Sequence, residues 1–179
     1  MVRQASLLSI LALLSGCAAL DLKKPTASVN GMSLGEVDPA GFTMNFDVTV
    51  SNPNGVSLPL AAADYELGVG GGRLLDGKIE PGGSLPAGGS RRVTLPVVVT
   101  FENLLTAEQS IRDSGGDVPY DLRAGLSFET GNPLTGTLRV PLRHSGTIPL
   151  RRVLSDPQAL LRSEAARRLA AEVLGRVFR

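Results

Sequence analysis

Side chains able to do covalent or acid–base chemistry near neutral pH are few in this sequence: one cysteine, Cys17, and one histidine, His144. A Ser-His-Asp or Cys-His arrangement would have to use that histidine. It stands in Leu142-Arg143-His144-Ser145-Gly146, close to an expected strand end, and reads as an exposed polar residue. Zinc wants several Cys or His at set spacing, whereas the carboxylates here are scattered singly along strands and loops. No catalytic residue, metal or cofactor is therefore expected, and the chain reads as a protein that is not an enzyme. Gly68-Val69-Gly70-Gly71-Gly72-Arg73 has the glycines of a phosphate loop. Such loops lead from a strand into a helix, but here strands are expected on both sides and no Gly-Lys-Ser/Thr follows, so the segment reads as a β-turn. What remains is the thiol of Cys17.

That thiol sits at the end of a secretory pattern: a basic start at Arg3, an apolar run from Ala5 to Leu14, then the small residues Ser15 and Gly16. A membrane-spanning helix needs about 20 apolar residues; this run is half as long, and the chain turns polar at Asp21, Lys23, Lys24 and Pro25. Leu14-Ser15-Gly16-Cys17 resembles the lipobox of bacterial lipoproteins. The resemblance implies that residues 1–16 are a signal peptide and that Cys17 becomes a lipid-bearing N-terminus. Two or more acyl chains hold a protein stably on a bilayer, where one holds only marginally. Ala18, rather than an aspartate, follows the cysteine. In lipoproteins of that type this implies the cell envelope, at the periplasmic face of the outer rather than the inner membrane.

The elements behind the cysteine are mostly strands. Residues 17–26 form a short lipidated tether ending near Pro25. From Phe42 to Ser51, Phe42, Met44, Phe46, Val48 and Val50 alternate strictly with polar residues, the pattern of a half-buried strand. Weaker strand signals cover Ala27–Leu34, Ala61–Gly70, Arg73–Ile79, Ser90–Phe101, Val118–Thr130 and Leu134–Leu150, punctuated by Gly, Pro and Asn turns. One helix is expected over Glu102–Ser114, with Leu104, Leu105 and Ile111 on one face and Gly115-Gly116 as its stop. The expected fold over residues 27–150 is mainly β: an antiparallel sandwich with one short helix.

Residues 151–179 read as a basic amphipathic helix, capped at Ser155 or Asp156 and with Pro157 in its first turn. Residues 17–148 carry ten Lys/Arg against fourteen Asp/Glu, whereas residues 149–179 carry seven Arg against three acids. Arg162, Arg167, Arg168 and Arg176 of this tail are candidate contacts to a membrane, an anionic lipid or an envelope protein. Nucleic acid conflicts with export.

The strand that ends in Ser51-Asn52-Pro53-Asn54 resembles the LEA type 2 family, also called the WHy domain (water stress and hypersensitive response). The Leu85-Pro86-Ala87-Gly88-Gly89-Ser90 loop into Val93–Val99, Gly136–Leu142 and the ending Ser145–Leu150 agree in order and spacing, and the resemblance covers residues 27–150. It implies an immunoglobulin-like or fibronectin-III-like antiparallel β-sandwich and a part in tolerance of desiccation, cold or envelope stress, with no catalytic residues. Asn52, Pro53 and Asn54 are expected to be structural, since proline cannot continue a central ladder and asparagine side chains close turns on their own backbone. The alternative is an envelope assembly or lipid-handling protein that binds a partner or an acyl chain through the sandwich or the C-terminal helix, which lies outside the family pattern.

Overall fold

Strict alternation in the central strand is what organises the core. Phe42, Met44, Phe46, Val48 and Val50 are all at most 1 % exposed, while the residues between them are half-buried on the other face. The computed structural model describes residues 22–38, 40–115, 117–131 and 136–150, together with Arg168, Ala171, Glu172 and Gly175. Its elements are β1 (Thr26–Val37), β2 (Gly41–Ser51), β3 (Leu58–Val69), β4 (Gly72–Ile79), β5 (Ser84–Leu85), β6 (Ser90–Thr100), α1 (Phe101–Thr106), α2 (Glu108–Asp113), β7 (Asp117–Glu129) and β8 (Thr137–Pro149).

All strand pairs are antiparallel. One sheet runs β1-β2-β6; the other runs β4-β3-β7-β8, with β5 paired to the start of β3. Inward residues of both sheets share one core, bridged by Phe46 of β2 and Tyr120 of β7, whose rings meet edge to face at 5.8 Å. Aromatic side chains are scarce, so Val and Leu fill most of the rest: Val93, Leu95, Val97 and Val99 from β6 are buried in the same core as Leu122, Leu126 and Phe128 from β7. Two glycines are explained by tyrosines lying across them. Tyr65 covers its cross-strand partner Gly77, and Tyr120 covers Gly146; a Cβ on either glycine would come within 3.0 Å of the ring. Burial raises the pKa of both tyrosines above the ordinary value, and the Asp76 carboxylate adds to the effect at Tyr65.

The Gly-rich segment between β3 and β4 is a tight two-residue turn. Gly70 and Gly71 have φ of +58° and +84°, the left-handed pair that matches the twist of a hairpin. The single expected helix over Glu102–Ser114 is instead two short ones, broken at Ala107. Its start is fixed by a capping box in which the Thr100 hydroxyl accepts from the Asn103 amide and the Asn103 side chain accepts from Thr100. The break has a local cause: the Thr106 hydroxyl donates to the Asn103 carbonyl at 2.6 Å, competing with continuation of the helix. Phe101, Leu104 and Ile111 nevertheless all reach the core, so the helices close the end of the molecule where β2 begins and β6 ends.

The domain thus has two distinct ends. At one, β1 enters, β2 leaves and β6 begins, and the connections 52–57 and 80–89 meet; at the other lie α1, α2 and the Gly70-Gly71 turn. The chain enters at the first end and leaves at the second, because Pro149 of β8 pairs with Asp117 at the start of β7. Of the expected C-terminal helix, Arg168, Ala171, Glu172 and Gly175 are helical; the rest of that segment lies outside the described residues. Among the described residues no helix is long and apolar enough to cross a membrane.

Candidate functional site

Asn52 and Asn54 are 1 % and 6 % exposed, and they are the polar residues of the described chain that the fold buries. Pro53 between them is exposed. Proline ends the β2 ladder, and the two amides then do the work of the missing strand. The Asn52 Nδ2 donates to the carbonyls of Val56 at 2.8 Å and Pro86 at 3.0 Å, with that of Leu85 at 3.5 Å. Its Oδ1 accepts from the Asn54 backbone at 3.0 Å and from the Asn54 Nδ2 at 2.9 Å. Asn54 passes the network on to the incoming chain: its Oδ1 accepts from the Lys23 N–H at 2.7 Å and its Nδ2 donates to the Lys23 carbonyl at 2.8 Å. Backbone bonds from Asn52 to Gly89 and from Gly88 to Asn54, both 2.8 Å, complete the knot.

Three segments far apart in sequence are therefore held at one point: the chain entering β1, the turn after β2 and the loop before β6. No buried side-chain polar atom among the described residues lacks a partner. The arrangement contains no nucleophile and no group that titrates near neutral pH. What it can do is positional: it holds chain segments together. Lys23 and the Leu85-Pro86 carbonyls were not legible as its partners, although the 85–90 loop stands out in the sequence pattern. Of the segment expected as a tether, residues 17–21 lie outside the described residues, Lys23 is bonded to the domain, Pro25 is buried and β1 begins at Thr26.

The other polar ensemble is the outer face of β4-β3-β7-β8. Carboxylates that look isolated in the sequence are gathered here by strand register: Asp64 and Glu66 from β3, Asp76 from β4 and Asp121 from β7. Each faces an arginine. Arg73 pairs with Asp76 and Glu66, Arg123 with Glu66 and Asp121, and Arg139 with Asp64. Arg139 reaches Asp64 by lying across Gly125 of the intervening strand, where a Cβ would stand 2.3 Å from its Nε. Among the described residues no group of three or more His, Cys, Asp or Glu is placed to hold a metal ion.

His144 departs from expectation. It is the eighth residue of the thirteen in β8, not at a strand end, and it is half-buried rather than exposed. Its ring faces those of Phe46 and Tyr120, each 6.1 Å away, so it packs at the margin of the core. Arg168 is helical and exposed; Cys17, Arg162, Arg167 and Arg176 lie outside the described residues.

Comparison with known proteins agrees with this architecture. A family model described as "Late embryogenesis abundant protein" matches residues 47–146. The late embryogenesis abundant protein Lea14-A of Gossypium hirsutum is 31 % identical over 132 residues, covering 73 % of this chain and 84 % of the relative. The probable desiccation-related protein LEA14 of Arabidopsis thaliana is 30 % identical over 131 residues, covering 72 % and 83 %. A solution structure from Arabidopsis thaliana superposes with a TM-score of 0.57 at 28 % identity, covering 71 % of this chain and 82 % of that one. An Archaeoglobus fulgidus crystal structure at 12 % identity, covering 71 % and 95 %, shares the fold with a TM-score of 0.56. The end of β2, the asparagine turn and most of β8 fall inside the matched region, and this chain belongs to the LEA type 2, or late embryogenesis abundant, family.

Proposed function

We propose that this protein is a non-enzymatic, membrane-anchored LEA type 2 lipoprotein of the bacterial cell envelope that supports tolerance of desiccation, cold or envelope stress. The observation that carries the stress role is family membership, since its plant relatives bear names such as desiccation-related protein. The anchoring part rests on Leu14-Ser15-Gly16-Cys17 at the end of an apolar run. On this reading the domain is an immunoglobulin/fibronectin-III-like sandwich whose neutral, fully bonded interior performs no reaction and acts by where it is held. The polar character of its outer faces suits a surface that stays hydrated near a membrane.

Deleting the gene is expected to lower survival after drying or freezing and thawing, and Cys17→Ser on a plasmid is expected not to restore it. A deletion strain that survives drying, freezing and osmotic shock like its parent would end the stress reading. A Cys17→Ser protein that still fractionates as an acylated membrane protein would end the lipid reading.

A further inference from the structure

Charge is segregated along the long axis of the domain. At the end that carries the asparagine turn stand Lys23, Lys24, Lys78, Arg91, Arg92 and Arg139, against Asp64, Glu80 and Glu129. At the helix end stand Glu36, Asp38, Glu102, Glu108, Asp113 and Asp117, against Arg73 and Arg112. The cations of the first end lie on more than one side of it. Arg92 pairs across to Thr49 on the β1-β2-β6 sheet, Lys24 borders the same shallow concavity as Arg139 and Arg143 on the other sheet, and Lys23 is at the tip. Lys23, Lys24 and Arg92 are exposed.

A second observation concerns the same end. Lys23 is bonded to Asn54 through both its N–H and its carbonyl, so the chain from Cys17 joins the domain there. Lys23 is the sixth residue after Cys17, a span of at most about 20 Å. Pro149 and Leu150 lie at the opposite, acidic end, where Pro149 pairs with Asp117. We infer that the basic end around the asparagine turn is a contact surface for anionic lipid headgroups, and that the Lys23–Asn54 bonds orient the domain with this end toward the bilayer. The inference deepens the membrane-anchored reading of Cys17 and rests on it. Each cation held near an anionic surface contributes about a fivefold gain in binding. That complements an acyl anchor.

The test uses the full chain, purified from bacterial membranes and reconstituted into vesicles of phosphatidylcholine alone or with one-third phosphatidylglycerol, about the anionic content of a charged leaflet. A fluorophore is placed on Gly55→Cys beside the turn or on Asp113→Cys at the helix end, both exposed positions, and the vesicles carry a headgroup-linked quencher. Quenching is expected to be severalfold stronger at residue 55 than at residue 113, and greatest with phosphatidylglycerol. The triple variant Lys23→Gln, Lys24→Gln, Arg92→Gln is expected to abolish the added effect of the anionic lipid while unfolding at the same temperature. Equal quenching at both positions, stronger quenching at residue 113, or an unaltered triple variant would overturn the inference. Mass spectrometry of the N-terminal peptide decides the anchor separately. An unacylated Cys17 ends only the anchor reading, because the same protein carrying Cys17→Ser, so that only residue 55 takes the label, must still be quenched when mixed with anionic vesicles. In that arm the triple variant is expected to bind on the order of a hundredfold more weakly.

Discussion

Two polar regions of this domain solve opposite problems. The asparagine turn is buried and neutral, and each amide atom has a partner within the chain. The outer face of β4-β3-β7-β8 is exposed and charged, with side chains of its paired arginines 58–62 % exposed. Breaking a buried hydrogen bond leaves its partner unsatisfied and costs about 1–3 kcal/mol for each orphaned group. An exposed ion pair is screened by water and salt and is worth about 0–1 kcal/mol. The smaller and chemically duller region therefore carries the architecture, and the more conspicuous one tunes the surface.

The largest effect should come from Asn52→Ala. It leaves the Val56 carbonyl and the Asn54 backbone N–H without partners, while Pro86 keeps the Gly89 N–H and the Asn54 Nδ2 keeps the Lys23 carbonyl, and stability in urea is expected to fall by about 3 kcal/mol. Asn54→Ala should cost less, about 1–3 kcal/mol. Its signature is local: hydrogen exchange at the Lys23 amide should accelerate more than the global loss of stability explains.

Asn54→Asp sharpens the comparison through pH. The carboxylate still accepts from Lys23 but faces the Asn52 Oδ1 and the Lys23 carbonyl where a donor stood. Burial and those facing oxygens raise its folded pKa above the unfolded value of about 3.9. The protonated form is the one the fold accepts, so the variant should be most stable below pH 4 and lose that stability as pH rises. Stability of this variant that rose from pH 3 to 7 would contradict the geometry.

On the charged face, Arg139→Ala should cost less than about 1 kcal/mol, and the cost should shrink between 0.05 and 1 M salt. Gly125→Val should abolish the Arg139–Asp64 pair by occupying the path of the guanidinium, and the second mutation should then add nothing. A cost of several kcal/mol from Arg139→Ala would reverse the ranking of the two regions. The smallest effect is spectroscopic. Asp76→Asn should lower the Tyr65 pKa toward the ordinary value, because the Asp76 charge helps raise it, and leave Tyr120 where it is. Both tyrosines are held protonated by the fold, so the stability they contribute is present below pH 10 and is lost as pH rises through their raised pKa values.

Several features were open to reading from residue order. The alternation in Phe42–Val50 specified which side chains enter the core, and Pro53 between two asparagines announced a turn. Gly70-Gly71 declared the hairpin. The double helix after β6 was not legible, because its break depends on one hydroxyl bonding back to a carbonyl. His144 was misplaced because a histidine flanked by Arg143 and Ser145 looks solvated, whereas strand period puts it on the core side with Leu142. Asp64, Glu66 and Asp76 looked scattered because their grouping is a matter of register between strands, which no local pattern reports.

By itself the sequence determined the β class and the apolar face of Phe42–Val50, and it carries the Cys17 motif on which the proposed lipid rests, since each depends on residues within one short stretch. Tertiary structure alone decided where the chain from Cys17 joins the domain. Asn54 meets Lys23 across 31 residues, and only folding could bring them together and set basic and acidic groups at opposite ends. A hydrogen bond or a surface charge pattern depends on distance in space, and the chain reports only distance along itself.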